Sequence, residues 1–472
     1  MVSIRHVIPR VVIAAPGSGH GKTSVATGLL SALRRNGLTV SPHKIGPDYI
    51  DPGYHALAAG RPGRNLDPWL VGEDQIVPMF RHGAQTPATA DIAVIEGVMG
   101  LFDGASGPGS PTAGDFASTA HVARLLGAPI VLVIDASGVG ASVAALVHGF
   151  ASFDAGTRIG GLIFNRVGSA YHAQLLRDAV EHIGIPVLGA IHRLDQLTVP
   201  SRHLGLIPAA ERSREAAEAV DALGSVVADS VDLQAVLRLA HTAGPLTEAA
   251  AANPATTPSM TPRARIALAG GAAFTFGYAE HPELLAVAGA DVVTFDPLRD
   301  EKLPDDVDGL VIGGGFPEAH APDLSANTAL RTEVAALARA GAPIVAECAG
   351  LLYLSRSLDD HQMCGVLDID TAMTDRLTLG YRDAVAVADS PIAGTAMRVH
   401  GHEFHRTAVR ERPGEGRKGE ANAWRWTARG AAVAEGFVRD RVHASYLHTH
   451  WRGVPSAADR LVAAAHSYRE AR

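Results

Sequence analysis

One stretch near the N-terminus constrains the fold more than any other. Residues 11–37 read VVIAAPGSGHGKTSVATGLLSALRRNG: a β-branched run, a turn with glycines at alternate positions, and then a long amphipathic segment. In such a strand–turn–helix unit, the backbone N–H groups of the turn point towards an anion at the helix N-terminus. The order therefore predicts an α/β domain with a phosphate-binding loop after its first strand.

The loop is a variant of the standard phosphate-binding motif, because Pro16 stands where that motif has a glycine. We expect Lys22 to supply charge to the β and γ phosphates of ATP, and Thr23 to ligate Mg²⁺, at a helix that begins with this Lys-Thr pair. The predicted phosphate-binding residues are Gly17, Gly19, His20, Gly21, Lys22 and Thr23.

Short β-rich runs alternate with amphipathic segments on both sides of an Ala-, Thr- and Pro-rich stretch. We predict an α/β N-terminal domain at 1–240 with a doubly wound parallel sheet of the P-loop NTPase type, a linker at 241–263, and a second α/β domain at 264–472. The predicted strands are 10–16, 91–97, 129–136, 159–165 and 185–191 in the first domain and 265–271, 291–296, 309–315 and 342–348 in the second.

Composition narrows the class of partner. The formal net charge of −8 is spread without long runs of one sign, so nothing indicates a nucleic-acid-binding or membrane-binding face. Two cysteines are too few for a disulfide framework, and no apolar run is long enough to span a bilayer. We expect a cytoplasmic protein with small-molecule substrates; a homodimer is left open.

Acidic residues follow two strands near the loop. Glu96 closes the run DIAVIEG, and Asp48 and Asp51 follow Lys44 in HKIGPDYIDPGYH. Because the carboxyl ends of parallel strands line the ligand crevice, we expect such acids to hold magnesium, although each alone is as well explained as a solvated loop carboxylate. Asn65, Asp67 and Asp103 are weaker candidates, in loops that could face a second substrate.

The stretch GAPIVAECAGLLYL (341–354) has the pattern of a nucleophile elbow, in which a buried strand ends at Cys348 and small residues lead into a helix. Without this setting an inert core thiol would be the better interpretation, and it is the one we give to Cys364. The tight turn and the helix N-terminus both favour a thiolate.

A cysteine nucleophile needs a base, usually histidine. The C-terminal region offers two groups of histidines: His400, His402 and His405 in RVHGHEFHR, and His443, His448 and His450 in RVHASYLHTHW. A metal site is an alternative for either group, but neither has the Cys or carboxylate company that would complete a coordination sphere.

The N-terminal motifs GSGHGKTSVATGLL, HKIGPDYIDPGYH, NLDPW and EGVMGLFDG resemble the synthetase domain of the cobyrinic acid a,c-diamide synthase family, which is related to dethiobiotin synthetase. The resemblance implies that ATP and Mg²⁺ convert a carboxylate into an acyl phosphate. It places Asn165 and Arg166 at the nucleotide base, although Asn165 is equally well explained as a turn residue. It assigns magnesium to Thr23, Asp48 and Glu96, and the acceptor substrate to Asp48, Tyr49, Asp51 and Asp103.

The C-terminal motifs VIGGGFPEAHAPDLSAN, APIVAECAGLLYL, GHEFHR and ASYLHTHW are similar to the class I glutamine amidotransferase domain of the same family. The resemblance implies Cys348 as nucleophile, His448 as base, and Gly314 and Gly315 as the oxyanion loop. Ordinary class I domains have a glutamate two residues after this histidine, where this chain has His450. The group that orients His448 is therefore open; a backbone carbonyl or Glu403 would serve.

Together the two resemblances imply a glutamine-hydrolysing carbon–nitrogen ligase of cobalamin biosynthesis. L-glutamine would supply ammonia, which would amidate the a and c acetates of a corrin-type polycarboxylic acid, either cobyrinic or hydrogenobyrinic acid. Basic residues that could face such an acceptor are Lys44, Arg61, Arg64, Arg193 and Arg202. Alternatives are a synthase acting on nickel sirohydrochlorin, a regulatory or partitioning ATPase with an inactive amidotransferase domain, and a histidine-rich metal-binding module.

Overall fold

The structure is a computed structural model that describes residues 8–105, 115–193, 201–202, 205–206, 208–211, 213–246, 264–410, 421–428 and 430–472; the side chains of 201–202 and 205–206 are not among the described parts. The chain divides into two compact units, Met1–Ala251 and Ala252–Arg472. Their boundary falls within the predicted linker, of which 247–263 lies outside the described residues. At its start, Gly244 N donates to Gly127 O (3.0 Å), so this part packs on the N-terminal unit.

Besides a short 3-10 helix at Glu181–Ile183, the described part of the N-terminal unit contains nine strands and nine α-helices. In chain order they are β1 (Arg10–Ala14), α1 (Lys22–Arg35), β2 (Val40–Ile45), α2 (Asp51–Ala59), β3 (Arg64–Leu66), α3 (Pro68–Val71), α4 (Glu73–Gln85), β4 (Ile92–Glu96), α5 (Thr119–Leu125), β5 (Ile130–Asp135), α6 (Val143–Phe153), β6 (Ile159–Val167), α7 (Ala170–Val180), β7 (Val187–His192), β8 (Ser201–Arg202), β9 (Gly205–Leu206), α8 (Ser213–Ser230) and α9 (Leu233–Ala240).

Seven of these strands form a parallel sheet in the order β3-β2-β4-β1-β5-β6-β7. Helices cover both faces of such a sheet, so its central strands are buried throughout, as β1 and β4 are. The chain builds one side of β1 with β2 to β4 and the other side with β5 to β7. The loop after β1 lies at this change of direction, where doubly wound sheets bind ligands. The predicted fold is confirmed.

The described part of the C-terminal unit continues the numbering: β10 (Arg265–Ala269), α10 (Glu280–Val287), β11 (Asp291–Phe295), β12 (Gly309–Ile312), α11 (Ala321–Ala326), α12 (Thr328–Arg339), β13 (Ile344–Glu347), α13 (Ala349–Leu354), β14 (Ser357–Leu358), β15 (His361–Gln362), β16 (Asp370–Ala386), β17 (Arg398–Arg410), β18 (Trp424–Ala428), β19 (Ala431–Glu435), β20 (Phe437–Arg439), β21 (Val442–Ser445), β22 (His448–Thr449) and α14 (Ala457–Ala471).

These strands form two sheets. The first has the order β11-β10-β12-β13-β21-β20 and is parallel except for β20, as the sequence predicts for its first four strands. The second is built around the long antiparallel pair β16 and β17, which the sequence analysis missed. Most of β16 is only partly buried, so it lacks the short apolar runs by which the other strands were found.

In the part of the chain that the structure describes, no helix is both long enough and apolar enough to cross a membrane.

Candidate active sites

The phosphate-binding loop joins β1 to α1, and α1 begins at Lys22 as predicted. Gly21 has φ 93° and Gly19 has φ 85°, a backbone conformation that glycine adopts without strain. The Lys22 ammonium lies over the loop and donates to Gly17 O (3.0 Å) and to Met99 O. Burial and the nearby Lys44 lower the pKa of Lys22 to about 8. An anion at this position would further favour the charged form of Lys22.

An oxygen-rich cluster lies beside the first turn of α1. Thr23 Oγ1 is 2.7 Å from Glu96 Oε1 and 3.2 Å from Asp51 Oδ2. Asp48, in contrast, accepts from Ile50 N (2.7 Å) at the start of α2. Two acids three positions apart cannot be told apart by sequence spacing, but the structure brings Asp51 rather than Asp48 into contact with Thr23.

Lys44 and His55 contact this cluster from the protein side. Lys44 Nζ lies 2.6 Å from Asp51 Oδ2 and 2.8 Å from Glu96 Oε1, and His55 Nε2 lies 2.7 Å from Glu96 Oε2. Burial alone would raise the pKa of Glu96, but Lys44 and His55 hold it well below its usual range. Burial and Asp48 raise the pKa of Asp51, against the pull of Lys44. The sequence analysis missed His55. Its spacing of four residues from Asp51, which places both on one face of α2, could have indicated it.

The donors of this cluster fit a magnesium ion. Thr23, Asp51 and Glu96 offer only hydroxyl and carboxylate oxygens, the ligands that Mg²⁺ prefers, and one or two carboxylates beside phosphates are its usual protein partners. In the described residues, no group of three or more His, Cys, Asp or Glu side chains is arranged to hold a metal ion by itself.

Asn165 and Arg166 lie next to the phosphate-binding loop. Asn165 Nδ2 donates to His20 O (3.0 Å), and His20 Nδ1 accepts from Asp135 N (2.9 Å). Arg166 forms an ion pair with Asp135, at the carboxyl end of β5. The amide of Asn165 packs so closely on Gly21 that a Cβ there would lie 2.2 Å away. Asp135 was missed by the sequence analysis, although it ends a predicted strand.

Two other residues predicted to face the acceptor differ in their exposure to solvent. Asp103 is exposed and its carboxylate accepts from Gly100 N (2.8 Å), in a turn joined to the phosphate-binding loop through Leu101 N and Ala15 O (2.8 Å). Tyr49 is largely buried.

Several of the weaker candidates have structural partners. Asn65 donates to Gly46 O (2.8 Å) and Asp48 O (2.7 Å), and Asp67 caps α3 by accepting from Trp69 N (2.9 Å). Among the basic residues, Arg61 and Arg64 are buried, Lys44 is held by the carboxylate cluster and Arg193 is exposed, while the Arg202 side chain lies outside the described residues.

In the C-terminal unit, Cys348 stands on a sharp turn between β13 and α13. Its backbone has φ 50° and ψ −101°, a region that non-glycine residues rarely occupy. Cys348 N donates to Ser445 O (2.7 Å), and α13 packs so closely on β12 that a Cβ on Gly350 would lie 2.2 Å from Ile312 O. This is the geometry of a nucleophile elbow, as the sequence predicts.

The thiol itself differs from expectation. Burial, with Glu318 and Glu347 nearby, raises the pKa of Cys348 to about 12, although the N–H groups of Ala349 and Gly315 point at the sulfur and act in the opposite direction. Burial thus outweighs the tight turn and the short helix N-terminus, the two features that the sequence analysis took to favour a thiolate. Such a nucleophile requires a base.

The two glycines predicted for the oxyanion loop have different environments. Gly314 N donates to Phe276 O (3.1 Å), whereas the N–H of Gly315 faces Cys348 Sγ together with that of Ala349. Gly315 has φ 158°, and a Cβ there would lie 2.1 Å from Ala273 O. The amides of Gly315 and Ala349 are thus the two donors placed beside the nucleophile.

His448 is fully buried on β22, opposite His402 of β17. Its Cε1 would lie 2.5 Å from a Cβ on Gly314, so the ring is next to the oxyanion loop. Burial, with His402 and His405 nearby, lowers its pKa well below the usual range. A neutral imidazole beside the elbow can accept the thiol proton. Its Nδ1 lies 3.9 Å from Glu347 Oε2.

Two neighbouring residues, His450 and Glu403, contact side chains elsewhere in the unit. His450 Nε2 lies 3.5 Å from Glu280 Oε2, and its ring packs against Tyr278 with centroids 4.3 Å apart. Glu403 pairs with Arg382 (2.6 Å) and lies 3.6 Å from His405 Nε2. Cys364 is buried, in keeping with an inert thiol.

One unit carries a phosphate-binding loop with a cluster of oxygen ligands, and the other carries a cysteine elbow and a buried histidine on β22. Together these features define a class of enzyme: the chain is a glutamine-hydrolysing carbon–nitrogen ligase. Residues 265–455 match the CobB/CobQ-like glutamine amidotransferase domain, and residues 11–207 match the CobQ/CobB/MinD/ParA nucleotide binding domain.

Relatives that align over nearly the whole chain identify the family. The chain is 56% identical over 485 residues to the hydrogenobyrinate a,c-diamide synthase of Streptomyces coelicolor, an alignment covering 96% of this chain and 97% of the relative. It is 54% identical to that of Mycobacterium tuberculosis, with 97% and 98% covered, and 40% identical to the cobyrinate a,c-diamide synthase of a Synechococcus strain, with 94% and 96% covered. The chain belongs to the a,c-diamide synthase family.

Proposed function

We propose that this enzyme uses ATP and glutamine to amidate the a and c acetate side chains of hydrogenobyrinic acid. The observation that carries the reaction type is the presence of the Lys22–Thr23 loop and the Cys348 elbow in one chain. The acceptor is supported by the names of the relatives: those at 51% to 56% identity act on hydrogenobyrinate. Cobyrinic acid is the second candidate, because relatives at 40% to 42% identity are named for it.

In the glutaminase half-reaction, His448 removes the proton of the neutral Cys348 thiol as the sulfur attacks the side-chain amide carbon of glutamine. The N–H groups of Gly315 and Ala349 stabilise the oxyanion. His448 then returns the proton to the leaving nitrogen, which departs as ammonia. Water hydrolyses the resulting thioester to glutamate and regenerates the thiol.

In the synthetase half-reaction, the acceptor carboxylate attacks the γ-phosphorus of ATP, giving an acyl phosphate and ADP. Ammonia then displaces phosphate and leaves a carboxamide. The loop from Gly17 to Lys22, with His20, cradles the phosphates, and Asn165 and Arg166 lie on the nucleotide side. Thr23, Asp51 and Glu96 would hold Mg²⁺, which supplies positive charge to the phosphates when bound. Asp48, Tyr49 and Asp103 are assigned to the acceptor side.

A nitrogen-source assay tests the proposal. The enzyme is incubated with ATP, Mg²⁺ and either glutamine or ammonia, with hydrogenobyrinic acid, cobyrinic acid and nickel sirohydrochlorin in parallel, and products are separated by anion exchange because each amidation removes one carboxylate. Cys348→Ser should abolish the glutamine-dependent product and spare the ammonia-dependent one, whereas Cys364→Ser should spare both. If Cys348→Ser spares both or loses both, the two-site assignment is wrong.

A further inference from the structure

A buried imidazole that acts as a base needs an acceptor at its second nitrogen, which fixes the tautomer and stabilises the imidazolium. The position two residues after His448, which ordinary relatives of this fold use for that purpose, is occupied by His450. That side chain lies against Glu280 and Tyr278. The acceptor for His448 therefore has to come from another part of the chain.

Glu347 is placed to supply it. This residue ends β13, immediately before the nucleophile, and its carboxylate is buried. One oxygen, Oε1, accepts from Thr449 Oγ1 (2.8 Å) and Thr449 N (3.2 Å). The other oxygen, Oε2, is 3.9 Å from Nδ1 of His448, the residue next to this anchor. Thr449 thus holds the carboxylate while its second oxygen faces the imidazole.

We propose that Glu347 is the positioning residue of the glutaminase site: its Oε2 accepts the Nδ1–H of His448 and so leaves Nε2 as the base for the Cys348 thiol. The inference rests on the proposed function. Catalytic hydrogen bonds are often long in the absence of substrate, and a small rotation of either side chain closes the gap of 3.9 Å. One strand end would thus provide both the nucleophile and the carboxylate that orients its base.

The main rival carboxylate is Glu403, on β17. Its charge is already compensated, because Arg382 Nε donates to Oε2 (2.6 Å) and His405 Nε2 lies 3.6 Å from Oε1. Glu347 has the backbone and hydroxyl of Thr449 as hydrogen-bond partners but no basic side chain at ion-pair distance other than His448 among the described residues. It can therefore stabilise an imidazolium, whereas Glu403 already stabilises a guanidinium.

Glu347→Gln in the full chain tests the inference, with Glu403→Gln as matched control. The readouts are glutamate release at varied glutamine concentration and amidation with ammonia. We expect Glu347→Gln to lower the glutaminase kcat on the order of 10²-fold with little change in KM, because the group acts on the base and not on bound glutamine. Ammonia-dependent amidation should be unchanged, and Glu403→Gln should keep the kcat of the unsubstituted enzyme.

The inference is overturned if Glu347→Gln keeps its kcat, or if its defect lies in KM alone. Should this variant misfold, Thr449→Val decides, since it retains Glu347 and His448 but removes the hydroxyl that anchors the carboxylate. A fall in kcat of about tenfold at constant KM supports the inference, and an unchanged kcat overturns it. If the unsubstituted enzyme releases no glutamate from glutamine, the proposed function fails instead.

Discussion

At the scale of single residues, burial and charged neighbours together set the pKa values of the ionisable groups at both sites. The two lysines of the phosphate site show this most clearly. Burial and the positive charge of Lys44 outweigh three acidic neighbours and lower the pKa of Lys22 to about 8, whereas Asp51 and Glu96 overcome the effect of burial and raise the pKa of Lys44 above its ordinary value. Lys44 is thus charged throughout the neutral range, whereas Lys22 loses its proton more readily than an ordinary lysine.

The raised pKa of Glu347 predicts that the stability of the protein depends on pH. Burial raises its pKa from 4.5 to about 7, against the two hydrogen bonds from Thr449. The native state therefore binds this proton more tightly than the unfolded state, so the stability it contributes is fully present below pH 4.5 and is lost as the pH rises to about 7. The loss amounts to about 3 kcal/mol in the free energy of unfolding.

Glu347→Gln should remove this pH-dependent contribution to the free energy of unfolding. Between pH 5 and pH 8, we expect the free energy of unfolding of the unsubstituted protein to fall relative to that of the variant by roughly 3 kcal/mol. Urea unfolding followed by tryptophan fluorescence measures it, since three of the four tryptophans, Trp424, Trp426 and Trp451, lie in the C-terminal unit. A difference that does not vary with pH would contradict a raised pKa for Glu347.

The contact between His55 and Glu96 predicts that replacing His55 changes the Mg²⁺ concentration that the enzyme requires. Its Nε2 lies 2.7 Å from Glu96 Oε2, so His55→Ala removes a partner from a buried carboxylate that faces Thr23. We expect the Mg²⁺ concentration for half-maximal, ammonia-dependent amidation to rise by about 10-fold to 100-fold, as for other groups that hold a metal ligand. The exposed His148, also in the N-terminal unit, provides the control variant His148→Ala, which should leave the requirement unchanged. An unchanged requirement in His55→Ala would remove His55 from the site.

At the scale of elements, the nucleophile elbow depends on how closely α13 approaches β12. The first turn of α13 packs against the strand end with no room for a side chain at Gly350, and the N–H groups of Gly315 and Ala349 reach the Cys348 sulfur from two different segments. The pair of N–H donors beside the sulfur therefore depends on packing between these elements. A change in that packing should affect both stability and the first half-reaction.

Gly350→Ala tests this dependence. The added Cβ would lie 2.2 Å from the backbone oxygen of Ile312, which has to move. We expect a loss of about 1–3 kcal/mol in the free energy of unfolding of the C-terminal unit, from urea unfolding, and a lower glutaminase kcat. Gly277→Ala is the matched control, because nothing lies within 4 Å of a Cβ there. Equal stability of the two variants would show that the elbow tolerates a wider separation.

At the scale of the whole molecule, each of the two units carries one of the two candidate sites. The loop with Lys22 belongs to the N-terminal unit, and the elbow with Cys348 belongs to the C-terminal unit. Each half-reaction is proposed to use side chains of one unit only. Substitutions in the two units should therefore give opposite patterns of loss.

Lys22→Met is expected to abolish amidation with glutamine and with ammonia alike, since both require the acyl phosphate. Glutamate release should persist, because it needs no ATP chemistry. The exposed Lys302, in the C-terminal unit, offers Lys302→Met as control, with full activity expected in all three assays. Loss of glutamate release in Lys22→Met would show that the glutaminase site depends on the state of the N-terminal unit.

The sequence alone determined the features whose parts are neighbours along the chain. The phosphate-binding loop, the helix that begins at Lys22, the acid at the end of β4 and the elbow at Cys348 were all predicted, because glycine spacing and a strand followed by a helix impose their geometry locally. The resemblance then added His448, which lies a hundred residues from Cys348.

Only the tertiary structure decided which side chains meet. It brought Asp51 rather than Asp48 to Thr23, placed His55 behind Glu96, and raised the pKa of Cys348 where the local turn predicted a thiolate. It also built the antiparallel sheet that carries His448, and so set Glu347 beside it. The physical reason is that burial and hydrogen-bond partners depend on contacts between distant segments, and no local pattern of residues specifies those contacts.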